Sequence, residues 1–266
     1  MGAGLVTMAV PQAIYPVLAA HLREATWLLL PHDMGVLNAD AVEVFREEAG
    51  SAESLLLGPG LGDDEQTEAF IRGLLHGNRQ ARRGSIGFVA PQARSASGEE
   101  AGLLLGPLVI DADGLNLLAR MEKWWAYLPA GTILTPHPGE MARLTGLGRE
   151  EILADRLAVV MAKSAEWQCN IVLKGAFTTV AAPDGRLTVM PFATDALATA
   201  GTGDVLAGCI AGLLAQGAKP YEAAIAGAYV HGLAGRLAGK KLGRRSVMAG
   251  DLLDSLPDAL VLLENT

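Results

Sequence analysis

The chain has 266 residues, half of them hydrophobic and under a fifth charged, and its formal charge is -8 from 21 basic and 29 acidic side chains. That composition suits a folded chain with a substantial core and excludes extended disorder, while the negative average field disfavours nucleic acid as a partner. No apolar run approaches the roughly 20 residues that a membrane span requires, and Met1–Val10 lacks the basic start and cleavage pattern of a secretory leader, so a cytoplasmic location is expected.

In chain order, short apolar runs closed by Gly or Pro turns predict strands at Gly4–Met8, Ala25–Leu30, Ser54–Leu57, Pro107–Ile110, Thr132–Leu134 and Asn170–Leu173. Runs that are apolar throughout suit strands covered on both faces, hence a mainly parallel sheet. Helical patterns fall between them, at Asn38–Glu48, Glu65–Leu75, Gly139–Leu144 and Glu150–Glu166. The turn Ala182-Pro183-Asp184-Gly185 between Thr178–Ala181 and Arg186–Val189 predicts an antiparallel hairpin. Three helices then follow, Asp204–Gln216, Pro220–Ala238 and Ala249–Leu262, the second with Ala224, Ala228 and Gly232 on one face for close packing. No linker interrupts the pattern, so residues 1–266 are read as one domain, with His76–Gly102 a surface excursion; the alternatives are an irregular strand at Ile86–Ala90 and a cationic segment that helps hold a phosphate. Cys169 and Cys209, both in apolar surroundings, read as small buried residues.

Five segments carry residues suited to chemistry. Gly201-Thr202-Gly203-Asp204 precedes an apolar helix; bare backbone N–H groups at a helix start attract an anion, and a carboxylate there can deprotonate a hydroxyl. The bland alternative is an ordinary N-cap supplied by Thr202 or Asp204. Gly58-Pro59-Gly60-Leu61-Gly62 is a rigid turn that admits a ligand against backbone, or simply joins strand to helix. Asp111-Ala112-Asp113-Gly114-Leu115-Asn116 leaves a strand at the end where parallel sheets bind ligands, so Asp111 or Asp113 suits water-mediated Mg²⁺ or a polar substrate, against an Asx turn with helix capping. Two prolines stiffen the backbone around His137 in Thr135-Pro136-His137-Pro138-Gly139-Glu140; its imidazole suits ligand recognition, and Glu140 suits a helix cap. Lys174 follows a buried strand at Leu173-Lys174-Gly175, within reach of nucleotide phosphates, with Thr178 or Thr179 as hydroxyl donors. No second His stands at metal-ligand spacing, and His231 reads as packed or as a pocket wall.

Together, Gly58–Gly62, Asp111–Asn116, Leu134–Glu140, Leu173–Gly175 and the string Leu197–Gly208 resemble the NAD(P)H-hydrate dehydratase family, a branch of the ribokinase-like superfamily. The resemblance implies a three-layer α/β fold with a central, mainly parallel sheet flanked by helices. It implies ADP- or ATP-dependent phosphorylation of the C6 hydroxyl of hydrated NADH or NADPH, then loss of phosphate, with ADP the expected donor and Mg²⁺ as cofactor, its ligands unassigned. Carried over residue by residue, Asp204 is the base set against the reactive hydroxyl. Gly60 and His137 contact the hydrated cofactor, and Asp113 and Asn116 are read with them and Asp204 as substrate-binding. Lys174, Gly175, Ala176, Phe177 and Thr178, with Gly201, Thr202 and Gly203, hold the nucleotide. A homo-oligomer and a fusion or partnership with a hydrate epimerase are also implied. Two departures stand out: the strand and Gly-Ser segment that usually precede the stretch matched by Gly2–Val6 are not seen, and Thr194-Asp195 replaces the usual Gly-Asn, adding a negative charge near the phosphate site. The competing readings are a small-molecule kinase of the same fold and a nucleotide-binding module without catalysis.

Overall fold

The structure is a computed structural model that describes residues 1–49, 52–83 and 105–265. Among these, six strands form one sheet: β5 (Leu55–Leu57), β6 (Leu108–Ile110), β7 (Ile133–Leu134) and β8 (Asn170–Leu173) run parallel, and β9 (Thr179–Ala181) and β10 (Leu187–Val189) add the antiparallel edge expected from the hairpin turn. The strands β1 (Thr7–Pro11) and β2 (Thr26–Leu30) pair in parallel as a separate ladder, and β3 (His32–Asp33) and β4 (Val36–Leu37) form a small hairpin.

Side-chain alternation along the sheet builds two cores. Val109, Ile133, Val172 and Val180 face one side, where they are buried under α8 (Thr202–Ala215), α9 (Pro220–Leu242) and α10 (Ala249–Glu264). Leu108, Ile110, Leu134, Ile171, Leu173 and Ala181 face the other. There they meet α2 (Ala41–Glu48), α3 (Glu65–Arg83), α4 (Asp113–Leu118), α5 (Pro138–Thr145) and α7 (Arg156–Trp167). The result is the expected three-layer arrangement. Close packing of α9 uses the small residues read from the sequence: a Cβ on Gly232 would lie 2.3 Å from the Phe192 ring. Cys169 and Cys209 are both buried and free.

Several boundaries differ from expectation. The first strand begins at Thr7, three residues later than expected, because its register runs Thr7 to Thr26 through Pro11 to Leu30. The helix α1 (Tyr15–His21), with Pro16 in its first turn, buries no residue and so left no apolar stripe to read. The continuous helix expected at Glu150–Glu166 is two, α6 (Arg149–Ala154) and α7, broken at Asp155, whose Oδ1 accepts the Ala158 N–H at 3.0 Å and starts the second. Residues 76–83 extend α3 instead of opening a surface excursion; the remainder of that expectation, 84–102, lies outside the described residues.

Candidate functional site

Four parallel strands end along one edge of the sheet, and each hands the chain to a segment singled out in the sequence. Gly58–Gly62 follows β5, Asp111–Asn116 follows β6, Thr135–Glu140 follows β7 and Lys174–Thr178 follows β8. This carboxyl edge is where open α/β sheets bind ligands. The start of α8 closes on it from the other layer: a Cβ on Gly203 would sit 3.3 Å from Lys174 Nζ and 3.8 Å from Asp111 Oδ2.

The centre of the cluster is a buried ion pair. Lys174 Nζ lies 2.5 Å from Asp111 Oδ1 and 3.6 Å from Glu140 Oε2, and the Asp111 side chain is 1% exposed. Asp111 Oδ2 is buried without a hydrogen-bond partner among the described residues, an uncompensated acceptor of the kind that invites a ligand. Asp204, in the first turn of α8, is exposed, and its carboxylate accepts no hydrogen bond among the described residues. The ordinary N-cap reading therefore fails. Gly201 is the cap residue, without a side chain to offer, and Thr202 Oγ1 turns back to the carbonyls of Leu197 (2.9 Å) and Thr199 (2.8 Å). Desolvation raises the Asp204 pKa above the usual carboxylate value, the Asp111 and Asp113 charges add to it, and Lys174 opposes them.

The glycine turn after β5 packs directly on the Asp111 segment. Gly58 has φ +131° and approaches so closely that a Cβ would lie 1.8 Å from the Asp111 carbonyl oxygen; only glycine fits. Gly62 N–H donates to Asp113 Oδ2 at 2.8 Å, fastening the turn that carries Gly60 to the start of α4. Asn116, one turn along α4, accepts a bond from Arg143 at 3.0 Å.

His137 caps α5. Its Nδ1 accepts the N–H groups of Gly139 (2.9 Å) and Glu140 (3.2 Å), and Glu140 Oε2 accepts the His137 N–H at 2.7 Å, a reciprocal capping box. The expected capping role of Glu140 is thus met: Nδ1 of His137 is committed to the cap, and Nε2 lies 3.4 Å from Glu140 Oε1. Burial, then the charges of Lys174 and Arg143, push the His137 pKa down against the opposing charge of Asp111, and the neutral ring is favoured. Burial raises the Glu140 pKa despite the nearby ammonium.

The Lys174–Thr178 loop has a strained, open backbone, with Gly175 at φ +139° and Phe177 at φ +54°. Thr178 Oγ1 donates to Gly175 O at 3.0 Å, and the Phe177 ring is exposed. Sequence reasoning missed the group that holds this loop. Arg156, the first residue of α7, donates to the carbonyls of Leu173 (3.0 Å), Lys174 (3.3 Å) and Ala176 (3.0 Å). The signal was the Asp155-Arg156 pair, an N-cap followed by a cation, inside an apparently continuous helix. His231 is buried on α9, its Nε2 2.8 Å from the Thr202 carbonyl, and burial pushes its pKa down to about 4. The extra charge at Asp195 is offset by Arg244, whose Nε lies 3.4 Å from Asp195 Oδ1.

Among the described residues no three His, Cys, Asp or Glu side chains group as a metal cage. Mg²⁺ rarely needs one: it keeps several waters and is held through one or two carboxylates plus substrate phosphates. The unpartnered Oδ2 of Asp111 is an oxygen donor that fits such a site.

A family model described as NAD(P)H-hydrate dehydratase matches residues 96–258, more than half of the chain. The chain belongs to the NAD(P)H-hydrate dehydratase family. The bifunctional NAD(P)H-hydrate repair enzyme of Moorella thermoacetica is 41% identical over 264 residues, which are 99% of this chain and 45% of that protein. The chain therefore spans about half the length of the curated relatives it matches first. Among solved structures, an ADP/ATP-dependent NAD(P)H-hydrate dehydratase from Bacillus subtilis, co-crystallized with ATP/Mg²⁺ and soaked with CoA, superposes with a TM-score of 0.71 at 27% identity, covering 97% of this chain and 81% of that one. A ribokinase-like superfamily protein from Enterococcus faecalis superposes at 0.69 with 25% identity, covering 96% and 76%. The fold of this dehydratase-family chain is ribokinase-like.

Proposed function

We propose that this chain repairs hydrated NADH and NADPH, using ADP or ATP to phosphorylate the hydroxyl at C6 of the hydrated ring, and that residues 1–266 do so as one catalytic domain. The observation that carries the proposal is the meeting of Asp204, whose carboxylate accepts no hydrogen bond among the described residues, with the Lys174–Asp111 pair at Gly203.

In this reading Asp204 takes the proton from the C6 hydroxyl, and the resulting alkoxide oxygen bonds to the terminal phosphorus of the nucleotide. The bond from that phosphorus to the bridging oxygen breaks, releasing AMP from ADP or ADP from ATP. The new C6–O phosphate ester then breaks at carbon, phosphate departs, a proton leaves the adjacent ring carbon and the dihydronicotinamide is restored. Water is a poor leaving group from carbon, and phosphorylation supplies a better one. Lys174 and the N–H groups of Gly201, Thr202 and Gly203 balance charge on the moving phosphoryl group. Gly175, Ala176, Phe177 and Thr178 hold the nucleotide. Gly60, Asp113, Asn116 and His137 hold the hydrated cofactor. Bound Mg²⁺ would neutralise phosphate charge, and Asp111, whose Oδ2 has no hydrogen-bond partner among the described residues, would be a ligand for it.

The relatives named bifunctional support a fusion or partnership with an enzyme acting on the same hydrates, for which an epimerase is the proposed activity. Assembly as a homo-oligomer and a cytoplasmic site of action belong to the same proposal; among the described residues no helix is long and apolar enough to cross a membrane. The test is recovery of reduced-nicotinamide absorbance from purified NADH hydrate with Mg²⁺ and either ADP or ATP. Recovery that requires one nucleotide supports the reading and names the donor. A stable phosphorylated product would favour a kinase instead, and nucleotide binding without turnover would favour a non-catalytic module.

A further inference from the structure

One cation beside the site meets no counter-charge among the described residues. A cleft of about 430 Å³ is lined by Asp63, Asn116, Ala119, Arg120 and Arg143. Its walls are the three segments to which the substrate residues belong: the turn that carries Gly60, the helix α4 that carries Asn116, and the helix α5 capped by His137. Arg120 is neutralised there. It donates to the Asp63 carbonyl at 2.8 Å, lies 3.2 Å from Asp63 Oδ2 and 3.5 Å from Glu68 Oε2, while Arg72 takes the other oxygen of Glu68 at 2.7 Å. Arg143 forms no ion pair among the described residues, and its only hydrogen bond there is to Asn116 Oδ1. His137, Glu140 and Arg143 are spaced three apart, which puts them along one side of α5. The charge of Arg143 reaches the His137 ring, where it lowers the pKa.

An exposed guanidinium tethered by an amide and unmatched by a carboxylate among the described residues presents a planar donor fork that fits phosphate oxygens. The hydrated nicotinamide dinucleotides carry such groups a few bonds from the reacting ring, as the bridging pyrophosphate and, in the NADPH form, as a 2′-phosphate. Resting on the function proposed above, we propose that Arg143, oriented by Asn116, binds a phosphate of the dinucleotide in this cleft, so that it sets substrate affinity without taking part in the proton or phosphoryl transfer. The bland alternative is a cation in the last turn of α5 that merely complements the helix dipole. That role would affect melting and leave dinucleotide affinity alone.

The test uses the whole chain and two readouts. NADH and NADPH, the repaired products, are titrated calorimetrically into wild type, Arg143→Ala and Arg143→Lys, and KM and kcat are measured on both hydrates. The expected result for Arg143→Ala is affinity weakened about tenfold or more, KM raised in parallel, kcat little changed and an unaltered melting temperature. Arg143→Lys should recover part of the affinity. A loss shared by NADH and NADPH assigns the pyrophosphate, and a loss confined to NADPH assigns the 2′-phosphate. Should the alanine variant fold poorly, Arg143→Gln keeps the packed stem and repeats the measurement. Unchanged affinity for both dinucleotides in a folded variant overturns the role of Arg143 and leaves the repair reading standing. Wild-type binding without repair of either hydrate sinks the repair reading while the titrations still judge Arg143. Failure of wild type to bind either dinucleotide overturns both.

Discussion

Asp204 and Lys174 answer to different physics, and substitution separates them. The raised Asp204 pKa means that the fold disfavours the ionised carboxylate; at neutral pH the charge costs stability, and the cost disappears as pH falls through the folded pKa. Asp204→Asn should therefore melt no lower than the parent while turnover falls by about two to four orders of magnitude, the range typical of general-base removal. A scanning-calorimetry trace beside a repair assay checks both halves. The same shift places the acid limb of turnover above the usual aspartate range. Lys174 behaves oppositely, because it compensates a carboxylate that is 1% exposed. Lys174→Ala should weaken nucleotide binding by calorimetry and also destabilise the fold by about 3 kcal/mol or more in urea, the scale seen when a buried pair loses one partner. If the stability loss comes from the stranded charge, Asp111→Ala in the same background restores part of it.

At the scale of elements, the site depends on how loops are held between strands and helices. Arg156 enters at the head of α7 and fastens three carbonyls of the Lys174–Thr178 segment, a function that no local motif advertises. Its guanidinium lies against backbone, so Arg156→Ala should free a loop whose own φ values are unfavourable and raise the nucleotide KM about tenfold. Rescue by Arg156→Lys should be incomplete, since one ammonium cannot span the same carbonyls as a fork; an unchanged nucleotide KM in the alanine variant removes this role. Most elements were legible in the chain because each left a pattern. The buried parallel strands read as short apolar runs, the hairpin as Pro-Asp-Gly, and the capping of α5 as His-Pro-Gly-Glu. Other elements were not read: α1 buries nothing, the two-residue strands β3 and β4 are too short to show a period, and the six-residue α4 is too short for its buried leucines to mark a helix.

Across the whole molecule, contacts pin together segments that are distant in sequence. His231 on α9 meets the Thr202 carbonyl at the start of α8, joining the C-terminal layer to the proposed phosphate cradle. Its folded pKa is pushed down to about 4 from 6.5. As pH falls below 6.5 the unfolded chain gains a proton that the folded chain refuses, so stability from this group is lost between pH 6.5 and about 4. Melting temperatures across that window should fall less steeply in His231→Gln, which keeps a donor for the carbonyl without titrating; an identical slope would exclude His231 as the source.

The sequence by itself determined the βα alternation, the small-residue packing of the C-terminal helices and all five segments at the site, since strand burial, turn chemistry and helix starts are local properties of the chain. Tertiary structure alone decided which polar groups those segments share. That Lys174 pairs with Asp111, and that among the described residues Asp204 accepts no hydrogen bond and Arg143 meets no carboxylate, all depend on side chains far apart in sequence. Their hydrogen bonds and charges are fixed only when the parallel strands bring their carboxyl ends to one edge.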